Sequence, residues 1–302
     1  MSIRFDGRVA IITGAGAGLG RQHALAFAAR GAKVVVNDFG GNRDGTGGSS
    51  AAALAVVEEI RQAGGEAIAN GADVSDFAQV EAMVAEAMAA FGRVDILVNN
   101  AGILRDKTFT KMEMADFRTV VDVHLMGSAN CSKAVWQIMR DQNFGRIVMT
   151  TSAAGLYGNF GQANYGAAKM ALVGLMNVLQ QEGAKNNIRV NTIAPIATTR
   201  MTAELLPEAI QAALQPERVT PGVLFLCSDE APMRTVLSAA GGSFAVATMM
   251  ETAPVHFAGE SLSPEAIAAR FAEVSDLSTA KSYINADAEI QRFIGQVMTA
   301  QR

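Results

Sequence analysis

The sequence predicts an α/β protein: a doubly wound parallel sheet of seven strands with helices on both faces and a C-terminal extension. Three observations carry this. Apolar runs of strand length alternate with longer segments of helical spacing, which argues for a parallel sheet covered on both sides. The first run, Arg8-Val-Ala-Ile-Ile12, passes into Thr13-Gly-Ala-Gly-Ala-Gly-Leu-Gly20 and then into a helical pattern with Leu25, Phe27 and Ala28. Hydrophobic residues make up 50% of the 302, enough for the large core such a sheet needs.

Strands are expected near 8–13, 33–37, 66–70, 94–98, 145–150, 188–193 and 243–247. Helices are expected between them, including 18–30, 50–64, 76–91, 113–141 and 163–186. No repeat or linker divides the chain, so one domain over 1–302 is expected, with the extension from about 248 to 302. A net charge of −4 gives no electrostatic footprint for nucleic acid. No apolar run reaches about 18 residues and no signal segment opens the chain, so no membrane span is expected. Cys131 and Cys227 stand in unlike contexts without metal-ligand spacing. They read as core thiols of a cytoplasmic protein without a metal. The last residues, Ala300-Gln-Arg302, carry no peroxisomal address.

The glycine run sits where a strand turns into a helix. There, backbone N–H groups can approach a pyrophosphate while the helix N-terminus points at it. Gly14, Gly18 and Gly20, with Leu19 between the last two, follow the spacing Gly-x-x-x-Gly-x-Gly. A second apolar run, Lys33-Val-Val-Val-Asn37, ends at Asp38. An acidic residue about twenty positions past the glycines is placed to accept from adenosine ribose hydroxyls and to repel a 2′-phosphate, which favours NAD over NADP. Arg43, close by, weakens that preference slightly. The stretch Gly40-Gly-Asn-Arg-Asp-Gly-Thr-Gly-Gly48 reads either as a mobile surface loop or as a flap over the adenosine.

Tyr165 and Lys169, four residues apart in Asn164-Tyr-Gly-Ala-Ala-Lys169, share one face of a helix. A phenol with a pKa of about 10 is a poor base at neutral pH. A neighbouring ammonium, together with an oxidised nicotinamide, would lower it toward the working range. Ser152, in Met149-Thr-Thr-Ser152, could hold a substrate oxygen by hydrogen bond.

With these elements the chain resembles the short-chain dehydrogenase/reductase family over essentially its whole length. That resemblance implies further cofactor contacts: Asp73 and Val74 at the adenine, Asn100, Ala101 and Gly102 along the cofactor, Pro195 and Ile196 near the nicotinamide, and Tyr165 and Lys169 themselves. It also implies a mobile substrate lid over 197–222 and a homodimer or homotetramer, through helices matching Met112 to Trp136. Two positions depart from the family pattern. Ile196 stands where the family usually has Gly, and His124 stands where it usually has a catalytic-tetrad Asn. That Asn acts through its backbone, bending a helix and holding a water near the lysine. His124 therefore reads either as a fourth catalytic residue or as a packed histidine without chemistry.

Longer runs, Val34-Val-Val-Asn-Asp-Phe-Gly-Gly41 and Tyr157-Gly-Asn-Phe-Gly-Gln-Ala-Asn-Tyr165 among them, resemble the branch that includes the (3R)-hydroxyacyl-CoA dehydrogenase unit of type 2 peroxisomal multifunctional enzymes, also known as 17β-hydroxysteroid dehydrogenase type 4. The implied substrate is a bulky, apolar secondary alcohol or ketone, a hydroxysteroid or a (3R)-hydroxyacyl-CoA. Met201, Leu205, Leu206, Ile210 and Leu214 in the lid, and Met249, Met250, Val255 and Phe257 after the last strand, could cover such a ligand. The segment Ala247–Phe257 has no lysine or arginine, which weighs against a coenzyme A phosphate unless Arg105, Lys107 or Arg200 supplies the cation. The alternatives are a dehydrogenase of smaller aryl or alkyl secondary alcohols and, further off, a cofactor-binding regulator without catalysis.

Overall fold

A computed structural model of the chain describes residues 2–198 and 207–300. The central strands β1 (Val9–Thr13), β2 (Lys33–Asn37), β4 (Ile96–Asn99) and β5 (Gly145–Thr150) are buried almost throughout. Their sequences are therefore continuous apolar runs, not alternations, as a sheet covered on both faces requires. With β3 (Ala67–Asn70), β6 (Ile188–Ile196), β7 (Val236–Ala240) and β8 (Ser243–Ala247), they form an eight-stranded sheet in the order β3-β2-β1-β4-β5-β6-β7-β8. Pairs from β3 through β7 are parallel, with Ile12 in register with both Val36 and Val98.

The chain runs outward from β1 to β2 and β3, then returns to the other side of β1 as β4. This reversal opens a crevice at the strand ends, where open α/β sheets hold their ligands. Helices α1 (Gly18–Ala29), α2 (Ala51–Gln62) and α9 (Thr220–Leu226) pack over one face, burying Ile12, Phe27, Val34, Val98, Val148 and Leu226 in one core. Helices α3 (Phe77–Phe91), α5 (Gly127–Gln142) and α7 (Ala163–Gly183) cover the other. Asp76 caps α3 by accepting from Ala78 and Gln79 N–H, and Gly92 ends it in the left-handed conformation at φ 76°.

The structure corrects the expectation in three places. The seven-stranded count misses β7, whose Val-Leu-Ser-Ala-Ala is a weak apolar run. The segment expected to be the seventh strand is the largely exposed β8, reached through Gly241 and Gly242 at φ 57° and 89°. Two successive positive φ values are the hairpin geometry that Gly-Gly allows. The helix expected over 113–141 is two helices, α4 (Met114–Val121) and α5, joined by a π-helical turn at Asp122–Met126. A short helix, α6 (Ala153–Tyr157), sits where no helix is expected, its first turn capped by Ser152. The rest of the expected lid contains α8 (Glu208–Ala213); Arg200, Met201, Leu205 and Leu206 lie outside the described residues.

Contacts divide the chain into units of Met1–Val246 and Ala247–Arg302. In the second, α10 (Pro264–Ala269), α11 (Phe271–Val274) and α12 (Ala286–Ala300) accompany an antiparallel bridge between Glu251 and Lys281. Arg292 donates to the Tyr283 hydroxyl at 2.6 Å and reaches the carbonyls of Glu251 and Thr252. The side chains of Met249 and Met250 in this unit are exposed.

The base of the crevice strands is fixed by one buried carboxylate. Asp95, fully buried, accepts from Val9 N–H at 2.9 Å, from Arg93 at 2.6 and 2.7 Å, and from Arg8 at 3.2 Å. Asp95→Ala is expected to lower unfolding stability by about 3 kcal/mol, because it leaves the buried Val9 N–H without its acceptor and removes the carboxylate that holds Arg93 and one arm of Arg8. A urea titration with an unmoved midpoint would contradict this.

Candidate active site

Two loops meet at the crevice between β1 and β4. A Cβ on Gly14 would lie 2.8 Å from the Ala101 Cα, and one on Gly20 would lie 2.2 Å from the Gly14 carbonyl oxygen. Glycine is required at both positions by space, and at Gly14 also by φ 62°. Thr13, at the end of β1, is a keystone that sequence reasoning passed over. Its hydroxyl accepts from the N–H groups of Asn100 and Ala101, both at 3.0 Å. The Asn100 amide returns bonds to the carbonyls of Thr13 and Gly14. A threonine directly before a glycine turn was the available signal.

This arrangement fits a dinucleotide. Helix α1 begins with no side-chain cap and no acidic residue in its first turn, so its positive N-terminal end is open to an anion. Asp38 accepts from Gly16 N–H and from Gly40 N–H, each at 2.7 Å, one on each carboxylate oxygen. Each oxygen keeps further lone pairs that ribose hydroxyls could use. Asp73 accepts from the backbone and hydroxyl of Ser75, and Val74 is buried against Gly127. Pro195 and Ile196 close β6, in register with Ala239 and Ala240, and Ile196 is 47% exposed.

The glycine-rich loop after Asp38 is pinned to the segment after β4. Leu104 N–H donates to the Arg43 carbonyl and Arg105 Nε to the Asp44 carbonyl. A cavity of about 530 Å³ lies there, lined by Arg43, Arg105 and Lys107 and by Asp44, Asp106 and Asp116. Arg105 and Lys107 both bond to Asp116, at 3.0 and 3.1 Å. Three cations against three carboxylates make no anion trap, and neither Arg105 nor Lys107 is an uncommitted partner for a phosphate.

Ser152, Tyr165, Lys169 and His124 come together beyond β5. Ser152 follows the strand and caps α6, its oxygen accepting from Ala154 N–H at 3.1 Å. Tyr165 and Lys169 stand one turn apart on α7, with Lys169 Nζ 5.4 Å from the Tyr165 ring centroid. Lys169 is buried and donates to the Thr150 carbonyl at 2.5 Å. Thr151, also unremarked in the sequence, donates to the Lys169 carbonyl and ties β5 to α7. His124 lies in the π turn, 2% exposed, with its ring edge-on to Tyr165 at 5.2 Å between centroids. Such turns break the helical ladder and concentrate at functional sites.

Burial governs the charges here. It raises the Tyr165 phenol above its usual value, the hydrogen bond with Ser152 acting in the opposite direction and Asp106 adding to the rise. Burial also pulls Lys169 down to about 7. Without a bound nicotinamide the phenol thus lies above its usual value, burial outweighing the opposing hydrogen bond. His124 is held well below its usual value by burial first and the charge of Lys169 second, so it is neutral.

Residues 8–209 match the family model "short chain dehydrogenase". The chain belongs to the short-chain dehydrogenase family. Its members are oxidoreductases acting on CH–OH groups. The chain is 55% identical over 227 residues to a "Peroxisomal multifunctional enzyme type 2" of Drosophila melanogaster, covering 75% of this chain and 38% of that one. It therefore spans about two fifths of that relative's length. The solved structure of the full-length Drosophila melanogaster enzyme superposes with a TM-score of 0.82 at 38% identity, over 99% of this chain and 51% of that chain. A 7α-hydroxysteroid dehydrogenase solved with NADH and 7-oxo glycochenodeoxycholic acid superposes at 0.72 with 36% identity, over 80% of this chain and 95% of that chain. Among the described residues no helix is long and apolar enough to cross a membrane, and no group of three or more His, Cys, Asp or Glu could hold a metal.

Gly102 and His124 are mutually dependent. A Cβ on Gly102 would lie 2.4 Å from His124 Cε1. Gly102→Ala is expected to cost about 1–3 kcal/mol of stability by overpacking. In the double variant with His124→Ala the penalty should largely vanish, because the obstructing ring is gone. Strictly additive losses in a denaturant double-mutant cycle would refute the contact.

Proposed function

We propose that the chain uses NAD to interconvert a bulky, apolar secondary alcohol and its ketone, a hydroxysteroid of the 17β type or a (3R)-hydroxyacyl-CoA. The observation that carries this is Tyr165 flanked on α7 by buried Lys169, whose Nζ lies 5.4 Å from the ring centroid, in a chain whose glycine turn is tied to Asp38 through Gly16. A nicotinamide cofactor, when bound, accepts or supplies the hydride. The chain's residues do the rest. The backbone around Gly14, Gly18, Leu19 and Gly20 and the uncapped end of α1 would hold the pyrophosphate. Asp38 would accept from the ribose hydroxyls, with Asp73, Val74, Asn100, Ala101, Gly102, Pro195 and Ile196 lining the remainder. Tyr165 takes the proton from the alcohol oxygen during oxidation and returns it during reduction. Ser152 donates to that same oxygen.

Because burial keeps the phenol weakly acidic, Tyr165 needs positive charge nearby to act as a base. Lys169, at about 7, supplies part of it near neutral pH. Tyr165→Phe is expected to lower turnover by roughly 10² to 10⁴ while leaving cofactor affinity intact. Lys169→Met should move the acid limb of alcohol oxidation to higher pH, since a cation favouring phenolate is lost. Near-normal turnover by the Phe variant would sink the assignment.

Asp38 supports NAD over NADP, its carboxylate being half-buried and fixed by two backbone N–H groups. Side-by-side kinetics should give a higher kcat/KM with NAD, and Asp38→Ala should narrow the gap mainly by weakening NAD. A preference for NADP in the unaltered chain would reverse this reading.

Between the two substrate arms, the pairing of Arg105 and Lys107 with Asp116 favours the steroid. The experiment is kcat/KM with NAD on a 17β-hydroxysteroid, a (3R)-hydroxyacyl-CoA and a small aryl carbinol. The expected order puts the carbinol last. Efficient turnover of the carbinol alone would replace the bulky-substrate reading with the smaller one.

A further inference from the structure

The helix that carries Tyr165 is held at its first turn by the segment after β4. Gln162, directly before α7, donates from Nε2 to the Asp106 carboxylate at 2.7 Å. Asn164 is fully buried and bonds in two directions. Its Nδ2 donates to the Arg105 carbonyl at 3.0 Å, and its Oδ1 accepts from the Tyr165 N–H at 2.8 Å. That N–H is one of the first-turn donors that a helix leaves without an intrahelical acceptor. The backbone of Tyr165 is thus fixed by one buried side chain, and that side chain is fixed by the Arg105 carbonyl.

Arg105 reaches the opposite way through its guanidinium. Nε donates to the Asp44 carbonyl at 2.8 Å, and Nη1 donates to the Asp116 carboxylate at 3.0 Å. Asp44 belongs to the loop that follows Asp38. Leu104 N–H adds a bond to the Arg43 carbonyl of that loop. Gly45, at φ 87°, lies so close to Ile103 that an added Cβ would be 3.2 Å from the isoleucine side chain. At the loop's start, Asp38 accepts from the N–H groups of Gly16 and Gly40. Asp116 holds the planar guanidinium from α4, which leaves Nε aimed at the loop.

We infer that Arg105 is a positioning residue for Tyr165: its guanidinium ties the loop after Asp38 to the segment whose carbonyl fixes the first turn of α7, so that a ribose seated on Asp38 steadies the base. The element with two states is that first turn, aligned or frayed. A ligand that orders the loop favours the aligned turn, and the aligned turn favours the ligand by the same factor. The consequence for turnover rests on the dehydrogenase reading above; the tie between loop and helix does not.

Hydrogen exchange read by mass spectrometry on the full chain tests this, with ADP as the probe. ADP carries the adenosine ribose and no nicotinamide, so it cannot touch Tyr165 in place of the cofactor's other half. In the unaltered chain ADP is expected to slow exchange in 38–48 and also in 159–166. In Arg105→Met it should still protect 38–48 but lose its effect on 159–166. Without ligand, Arg105→Met should speed exchange in 159–166 about tenfold, in the range of ordinary coupling between sites, while the buried amides of β1 and β5 stay unchanged. Asp116→Asn keeps an acceptor for Nη1 and should behave as the unaltered chain. Protection of 38–48 that never reaches 159–166 in the unaltered chain would overturn the inference. So would equal effects of Asp116→Asn and Arg105→Met, which would assign the role to the ion pair alone. Kinetics give the second reading. In alcohol oxidation Arg105→Met should lower kcat about tenfold with the KM of the alcohol little changed, the pattern of a misplaced base. A raised KM with kcat intact would mean that Arg105 touches substrate, and would overturn the positioning role. If Arg105→Met does not fold, the ADP effect on 159–166 in the unaltered chain decides. Absence of any ADP effect on 38–48, or inactivity toward every alcohol, would instead count against the cofactor or dehydrogenase reading, and the exchange of the ligand-free variants would still decide the tie.

Discussion

Where β1 and β4 end side by side, the backbone leaves no room for a side chain, and much of the site follows from that contact. Gly14 approaches Ala101 closely, and the Thr13 hydroxyl and the Asn100 amide lock the two turns together. The glycine loop is thereby held where α1 can present its N-terminal N–H groups, and Asp38 ties in from β2 through Gly16. The same strand end continues through Gly102 and Ile103 to the imidazole of His124. The cofactor side and the Tyr165 side of the crevice are two faces of one backbone junction.

The second constraint is desolvation. Lys169, His124 and Tyr165 would read, from their types alone, as a cation, a titratable ring and an activated phenol. Buried together they become a lysine near 7, a neutral imidazole and a phenol above its usual value. Removing water penalises every charged form, and at the phenol the opposing hydrogen bond does not overcome it. A site of this kind responds strongly to added positive charge, since any cation entering it acts through a low dielectric. Burial thus makes the phenol's basicity conditional on what is bound beside it.

The π turn at Asp122–Met126 shows how a local irregularity serves this arrangement. It carries His124 out of the α-helical ladder, so that the ring reaches Ile103 and lies against Tyr165. The price is met locally: Ser128 satisfies the His124 carbonyl, and Gly102 lacks the Cβ that the ring would strike.

The sequence by itself determined the sheet's parallel, doubly wound character, the glycine turn with Asp38, and the pairing of Tyr165 with Lys169. These depend on local patterns: apolar runs of strand length, a glycine spacing at a strand–helix junction, a four-residue helical repeat. Thr13, Thr151 and the partnership of Gly102 with His124 could not be read that way, because each acts on residues far away in the chain. Strand β7 escaped notice because its apolar signal is weak and its place is fixed by pairing with β6. Two adjacent valines before His124 look like any buried helix, and only packing against Ile103 and Tyr165 makes a π turn there. Arg105 and Lys107 are free cations in the sequence and committed ones in the fold, since Asp116 arrives from α4. Tertiary structure alone decided the charge states, because a pKa depends on how much water the surrounding chain removes, and no local pattern of residues records that.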